Sequence, residues 1–370
     1  MASTKPSLLV TGVSGALGSR LLPLLEGFNV IGIDLQPPAD TSTHFEFESV
    51  DLGQESSCDR MARILRETRA VGVVHLAFVV DPVRAGVLDR ESMWRINVAG
   101  TARVLEAIAE ANRMDGRVEK LVHLSSVAVY GPSLKRAARE NDALRAHTLT
   151  YAVHKKQADA AVQSRAKDLG GCDVYLLRPH IFSGRSVQNY MINAVRGTAY
   201  GTGRLGRMFQ RRGTRFPLVY PWGKEYLEHK LQFAHVDDVA RLIVWILSRP
   251  KLSDPLLILN VAGRGDPLTV RQCAQIAGAQ VRRLPGLSFC QGLIQTMWAS
   301  GITSIPPDAF PYLVGSYWLD TTKLRTLLGN EYEDVIRYTS EAALADGVME
   351  LSTEPLPVSQ PELQRSQNRS

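Results

Sequence analysis

Tyr151 and Lys155 stand four residues apart in the run Tyr-Ala-Val-His-Lys. At helical spacing they share one face. A free tyrosine, with a pKa of about 10, is a poor base at neutral pH. A neighbouring ammonium favours the phenolate, so the pair is expected to carry a depressed phenol pKa. Ser125 and Ser126 close the run Lys120-Leu121-Val122-His123-Leu124, which reads as a strand. From that strand end Ser126 can hydrogen-bond the oxygen that Tyr151 protonates or deprotonates. Ser126, Tyr151 and Lys155 together suit the movement of a proton on and off a carbinol while a hydride goes to or from a nicotinamide.

Such chemistry needs a dinucleotide, and the start of the chain offers a place for one. Thr11-Gly12-Val13-Ser14-Gly15-Ala16-Leu17-Gly18 follows the apolar Leu8-Leu9-Val10 and opens onto Arg20-Leu21-Leu22-Pro23-Leu24-Leu25. The order is strand, glycine-rich turn, helix. Glycines let the backbone approach a ligand where a Cβ would collide, and the helix start aims free N–H groups at a pyrophosphate. Asn29 to Ile33 reads as a second buried strand and ends in Asp34, sixteen residues beyond Gly18. A carboxylate there either accepts both ribose hydroxyls of NAD and repels the 2′-phosphate of NADP, or is a solvated residue at a strand end.

Further strand ends point the same way. Phe45 to Val50 alternates apolar and polar, as a half-exposed strand does, and ends in Asp51-Leu52. That pair either contacts the adenine or opens the next helix with an acid. Val71 to Ala77 is a fourth strand. Leu76-Ala77 closes it, and the small Ala77 lets a cofactor lie against the backbone. His75 within it reads as a satisfied core histidine. In the helical pattern from Met93 to Ala111, Asn97 and Gly100 are poor helix formers. Either the helix tolerates them, or it is distorted there and frees a carbonyl for water or a lysine.

The rhythm of strand and helix continues through Val174-Tyr175-Leu176-Leu177 and Arg178-Pro179, which is the signature of a doubly wound parallel sheet. From about Gly184 it breaks. Met191 to Tyr200 is a candidate helix, and Gly201 to Arg215 is rich in Gly and Arg. Tyr220 and Trp222 either line a pocket or pack between subdomains. The expected organisation is an α/β chain: a Rossmann-type domain over 1–183, then a smaller substrate-binding α/β subdomain over 184–350. Residues of about 233–262 return to the Rossmann sheet, and 351–370 form a disordered tail.

Composition narrows the classes. A chain of 370 residues with 45% hydrophobic and 22% charged residues is long and apolar enough for a sizeable core. A net charge of +6 with scattered arginines suits an anionic small molecule better than nucleic acid. Cys58, Cys172, Cys273 and Cys290 form no CxxC pair, so neither a zinc site nor a disulfide is expected. Met1 to Ser7 is too short and polar for a secretory signal, and no apolar run reaches a membrane span. The expected location is the cytoplasm.

Taken together, TGVSGALG at 11–18, Asp34, Asp51-Leu52, HLAF at 75–78, NVAGT at 97–101, SSVAVYG at 125–131, YAVHK at 151–155, RP at 178–179 and HVDDVA at 235–240 resemble the extended short-chain dehydrogenase/reductases, the NAD-dependent epimerase/dehydratase family. The pieces fall in family order over about two-thirds of the chain. The resemblance implies Ser126 as the catalytic hydroxyl, Tyr151 as the acid/base, and Lys155 as its partner and a ligand of the nicotinamide ribose. It implies NAD as cofactor, held by Gly12, Ser14, Gly15, Ala16, Leu17 and Gly18 with Asp34, Asp51, Leu52, Leu76, Ala77 and Asn97. It also implies a homodimer through the helices placed at 93–111 and 151–167.

The departures bear on substrate. Sugar-nucleotide members often carry Asn three residues after the Arg of RP, where this chain has Ile181. Dehydratases usually follow the catalytic hydroxyl with Asp-Glu, where this chain has Val127-Ala128. Arg204, in the patch at 204–215, and Arg264 are candidate ligands of a substrate diphosphate; the patch also reads as a solvated surface segment. Three functions follow as expectations. One is a sugar-nucleotide epimerase that lends its hydride and takes it back. Another is an NAD(P)-linked dehydrogenase or reductase of a less polar alcohol or ketone. The third is a non-catalytic NAD sensor.

Overall fold

Leu8, Leu9 and Val10 are fully buried in β1 (Ser7–Thr11), which carries apolar side chains to both faces. A strand of this kind belongs inside a parallel sheet covered on two sides. The computed structural model describes residues 5–38, 45–80 and 89–349, so the tail expected over 351–370 lies outside the described residues. The other strands in chain order are β2 (Asn29–Asp34), β3 (Glu46–Ser49), β4 (Gly72–His75), β5 (Lys120–Leu124), β6 (Asp173–Pro179), β7 (Ile181–Ser183), β8 (Leu218–Pro221), β9 (Lys230–Leu231), β10 (Phe233–His235), β11 (Leu256–Val261), β12 (Leu268–Thr269) and β13 (Val281–Leu284).

Seven of them form one sheet in the order β11-β6-β5-β4-β1-β2-β3, and every pairing is parallel. This is a doubly wound Rossmann-type α/β fold. The strand order reverses between β1 and β4, which opens a crevice at the carboxyl ends of the strands. On one face the Ala16–Leu21 helix packs against the Val236–Leu247 helix through Leu17, Leu21, Val239 and Ile243. On the other face lie the helices Ser57–Glu67, Gly100–Met114 and Thr150–Arg165, with Met61, Leu65, Leu105, Ile108 and Val162 in the core.

A third apolar cluster is built mostly after β6. It gathers Ile181, Ile192, Phe233, Phe310, Tyr312, Tyr317 and Leu344 with Val129, Tyr130 and Ala152. The helix sought at Met191 to Tyr200 runs over Tyr190–Arg196 and is stopped early by Gly197, at φ +73°. Part of the Gly- and Arg-rich stretch is itself a helix, Arg204–Arg211. Among the described residues no helix is long and apolar enough to cross a membrane.

Candidate active site

Where β1 ends, the chain turns over Gly12 at φ +72°. A Cβ on Gly12 would lie 2.4 Å from the Ala77 nitrogen, and one on Gly18 would lie 2.3 Å from the Val13 carbonyl oxygen. The turn is thus pressed backbone to backbone against the end of β4 and against itself. Asp34 ends β2 beside it. Its carboxylate accepts from the Ser14 N–H at 3.0 Å and the Leu35 N–H at 2.8 Å. Asp51 accepts from the Gly53 N–H at 2.8 Å, which ties the chain after β3.

These residues line one side of a cleft of about 840 Å³. Gly12, Ser14, Gly15, Ala16, Leu17, Gly18, Asp34, Asp51, Leu52, Leu76 and Ala77 all face it, as do Ser126, Tyr151 and Lys155. Asn97 does not; it is fully buried behind the lining. The helix carrying it widens to a π turn over Arg95–Ala99. The Asn97 amide accepts from the Val79 N–H at 2.7 Å and donates to the Val79 carbonyl at 3.0 Å. It therefore holds the cleft wall after β4 from behind. The Asn97 main-chain carbonyl accepts from the Thr101 hydroxyl at 2.7 Å, and Lys155 donates instead to the Leu124 carbonyl at 2.6 Å. His75 is a satisfied core residue, bonded to the hydroxyls of Thr11 at 2.7 Å and Thr101 at 3.1 Å.

Tyr151 and Lys155 point from the Thr150–Arg165 helix into the cleft, and the Ser126 hydroxyl hydrogen-bonds the Tyr151 side chain. The expected depression of the phenol pKa is not what the cleft produces. Burial pushes Tyr151 up to about 12, and the Ser126 hydrogen bond only opposes it. Burial likewise brings Lys155 down to about 7 against the pull of Asp159. Both charged forms lose solvation, and this outweighs their neighbours. The Lys155 amine lies 6.0 Å from the Tyr151 ring centroid but 3.5 Å from that of Phe78.

Beneath the helix a buried ion pair fixes its pose. Arg178 donates from Nε and Nη2 to Asp159 at 2.9 Å each, and from Nη1 to the Tyr130 hydroxyl at 2.8 Å. Ser125 donates to the same carboxylate at 2.5 Å, and Tyr130 donates to Asn260 at 2.7 Å. A pair this buried is stable only because its remaining lone pairs and protons are also used. The motif Arg178-Pro179 is thereby explained as a brace between β6 and the helix bearing Tyr151.

Much of the remaining cleft lining is apolar and aromatic, with Ser186, Gln188 and Asn189 as polar members. Leu149, Ile181, Met191, Tyr312, Leu313 and Tyr317 belong to its apolar and aromatic part. No motif announces these residues, because they come from separate segments after β5. Arg204 and Arg264 are not among the lining residues. Arg204 is exposed at the start of its helix. Arg264 pairs with Glu333 at 2.9 Å and donates to the Arg337 carbonyl at 2.9 Å, so it straps the C-terminal segment instead of facing a ligand. Tyr220 is buried and Trp222 is 62% exposed, and neither lines the cleft.

The family model described as NAD dependent epimerase/dehydratase family matches residues 8–262. The chain belongs to that family. Solved structures agree with it in fold. MoeE5 in complex with UDP-glucuronic acid and NAD is 21% identical, with 92% of this chain and 97% of that chain covered and a TM-score of 0.59. The UDP-glucose 4-epimerase of Thermus thermophilus, in complex with NAD, is 20% identical over 92% and 97%, at a TM-score of 0.61. The Bordetella bronchiseptica enzyme WbmH in complex with NAD+ is 16% identical over 93% and 97%, at 0.62.

The epimerase/dehydratase cleft of this chain fits an NAD by its own geometry. At Gly15 the turn is open, since a Cβ there would meet only the Gly12 carbonyl oxygen at 3.3 Å, the Asp34 carboxylate faces the cleft, and the cleft has the volume of a large ligand site.

Proposed function

We propose that this protein is an NAD-dependent oxidoreductase acting on a carbinol, or the matching ketone, of a weakly polar substrate. Gly12, Gly15 and Gly18 would hold the pyrophosphate of NAD, Asp34 its ribose hydroxyls, and Lys155 the nicotinamide ribose. When bound, NAD takes up or returns a hydride. Tyr151 takes the hydroxyl proton in oxidation and gives it back in reduction. Ser126 donates a hydrogen bond to the same oxygen and orients it against Tyr151. Asp159 and Arg178 act on the reaction only by holding the helix that carries the pair.

The observation that carries the substrate class is the charge of the lining. Among the described residues Lys155 is the one lysine or arginine facing the cleft, and it sits at the Tyr151 end. A diphosphate placed against Leu149, Met191, Tyr312 and Leu313 would lose its hydration with no cation among the described lining residues there to replace it, at a cost of several kcal/mol. A neutral, largely apolar alcohol has no such penalty.

A second reading is supported by the UDP-sugars bound in MoeE5 and its likeness to this fold. In it, the chain epimerises a nucleotide-sugar through a transient ketone and shows no net change in cofactor. The deciding measurement is NADH formation at 340 nm with secondary alcohols, run beside a panel of UDP-, GDP- and dTDP-sugars followed by chromatography. Net NADH with alcohols supports the first reading. Sugar interconversion without net NADH overturns it.

A further inference from the structure

A second cavity, of about 80 Å³, adjoins the cleft. It lies between the Tyr190–Arg196 helix, β8 and the Gly286–Ala299 helix, walled by Ala194, Val195, Leu218, Leu231, Ile294 and Met297. Met191 and Leu313 line both cavities and form the partition between them. Both are only partly buried, so the partition consists of side chains with room to turn. Met191 has three rotatable bonds and adapts readily to a neighbour.

The hydroxyls of the wall are already engaged. The Tyr220 hydroxyl already donates to the Leu313 carbonyl at 2.9 Å. The Thr303 hydroxyl donates to the Ala199 carbonyl at 2.8 Å and accepts from the Ile305 N–H at 3.2 Å. Cys273 behaves as a small apolar side chain. An apolar cavity with its polar groups satisfied stays dry and takes up hydrocarbon. The volume, about 80 Å³, is roughly half of the ~150 Å³ that admits benzene, so it suits an alkyl end or branch and excludes a ring.

We propose that this cavity is a substrate subsite: the substrate carries an aliphatic chain whose end passes Met191 and Leu313 and lodges between Ala194, Leu231 and Ile294. The inference rests on the weakly polar reading of the cleft and narrows it to aliphatic, chain-bearing alcohols or ketones.

The test uses the full chain with saturating NAD and alkan-2-ols of increasing length, from butan-2-ol to dodecan-2-ol. Binding is read from ligand-dependent shifts in Tm, and turnover separately from NADH. Wild-type affinity should climb with length, roughly fourfold for each methylene that becomes buried. Ile294→Trp and the milder Ala194→Leu fill the cavity, and both side chains lie outside the cleft lining. In either variant that folds, the climb should stop short, while the shortest alcohols bind as in the wild type. A length dependence absent in the wild type, or identical in the filled variants, overturns the subsite. Absence of NADH with every alcohol overturns the dehydrogenase reading instead, and the affinities still decide the subsite.

Discussion

Phe78 covers Lys155: the amine stands 3.5 Å from the ring centroid, and the same ring meets Tyr151 edge-on at 5.7 Å between centroids. Two effects of the ring oppose each other. A cation–π contact favours the ammonium by about 1–2 kcal/mol. Exclusion of water disfavours it, and a fall from 10.5 to about 7 corresponds to a net of roughly 5 kcal/mol. Burial wins. In Phe78→Ala, water reaches the amine and the Lys155 pKa should move back up from about 7 towards its ordinary value. NMR titration of protein labelled at the lysine ε-carbon reads this directly, and an unmoved titration would sink the account.

Tyr151→Phe removes the proton acceptor and leaves the glycine turn untouched. Its kcat should fall by about 10²–10⁴, with NAD affinity unchanged by calorimetry. In the wild type, the phenol held at about 12 means that kcat/KM for oxidation climbs with pH through the neutral range as the phenolate fraction grows. A flat profile would remove Tyr151 from the role of base.

Gly12 and Gly15 should respond differently to the same change. An alanine Cβ at 12 meets the Ala77 nitrogen at 2.4 Å with φ at +72°, while one at 15 meets nothing closer than the Gly12 oxygen at 3.3 Å. Gly12→Ala should lose NAD binding and cost more than about 1 kcal/mol of stability. Gly15→Ala should fold with nearly wild-type stability. Denaturant titration and cofactor fluorescence of the two variants side by side provide the check; equal behaviour contradicts the packing described.

Asp34→Ala removes the carboxylate that accepts from the Ser14 and Leu35 N–H groups. The negative charge that repels a 2′-phosphate goes with it. The ratio of kcat/KM for NAD over NADP should fall by one to two orders of magnitude, on the order of a lost charge contact. An unchanged ratio would show that cofactor choice is made elsewhere.

Acid should unfold this protein through its buried histidines. Burial holds His75 down at about 3 and His180 at about 4, and His123 lies well below its ordinary value. Between pH 6.5 and those values the unfolded chain binds protons that the folded chain refuses. Stability is therefore full above 6.5 and is lost as pH falls, by up to about 1.4 kcal/mol per unit for each histidine. Urea unfolding at pH 7, 6, 5 and 4 should show this slope, and His75→Gln should make it shallower.

Spacing alone determined much of this molecule. The apolar runs at Leu8–Val10, Val73–Val74 and Leu121–Val122 read as buried strands because strand periodicity and burial on both faces are written in neighbouring residues. The Gly12 turn, Asp34 at the end of β2, and Tyr151 one helical turn before Lys155 are local relations too, and the fold directs them into one cleft. What the tertiary structure decided are relations between distant residues. Asn97 went behind the wall because Val79 claims its amide, and Arg264 left the ligand question because Glu333 and Arg337 claim its guanidinium. The apolar part of the cleft is assembled from Leu149, Ile181, Met191 and Leu313, which share no motif. The direction of the Tyr151 pKa shift also reversed the local expectation. Spacing reports which charges are neighbours, but desolvation depends on everything packed around them, and that exists only once the chain has folded.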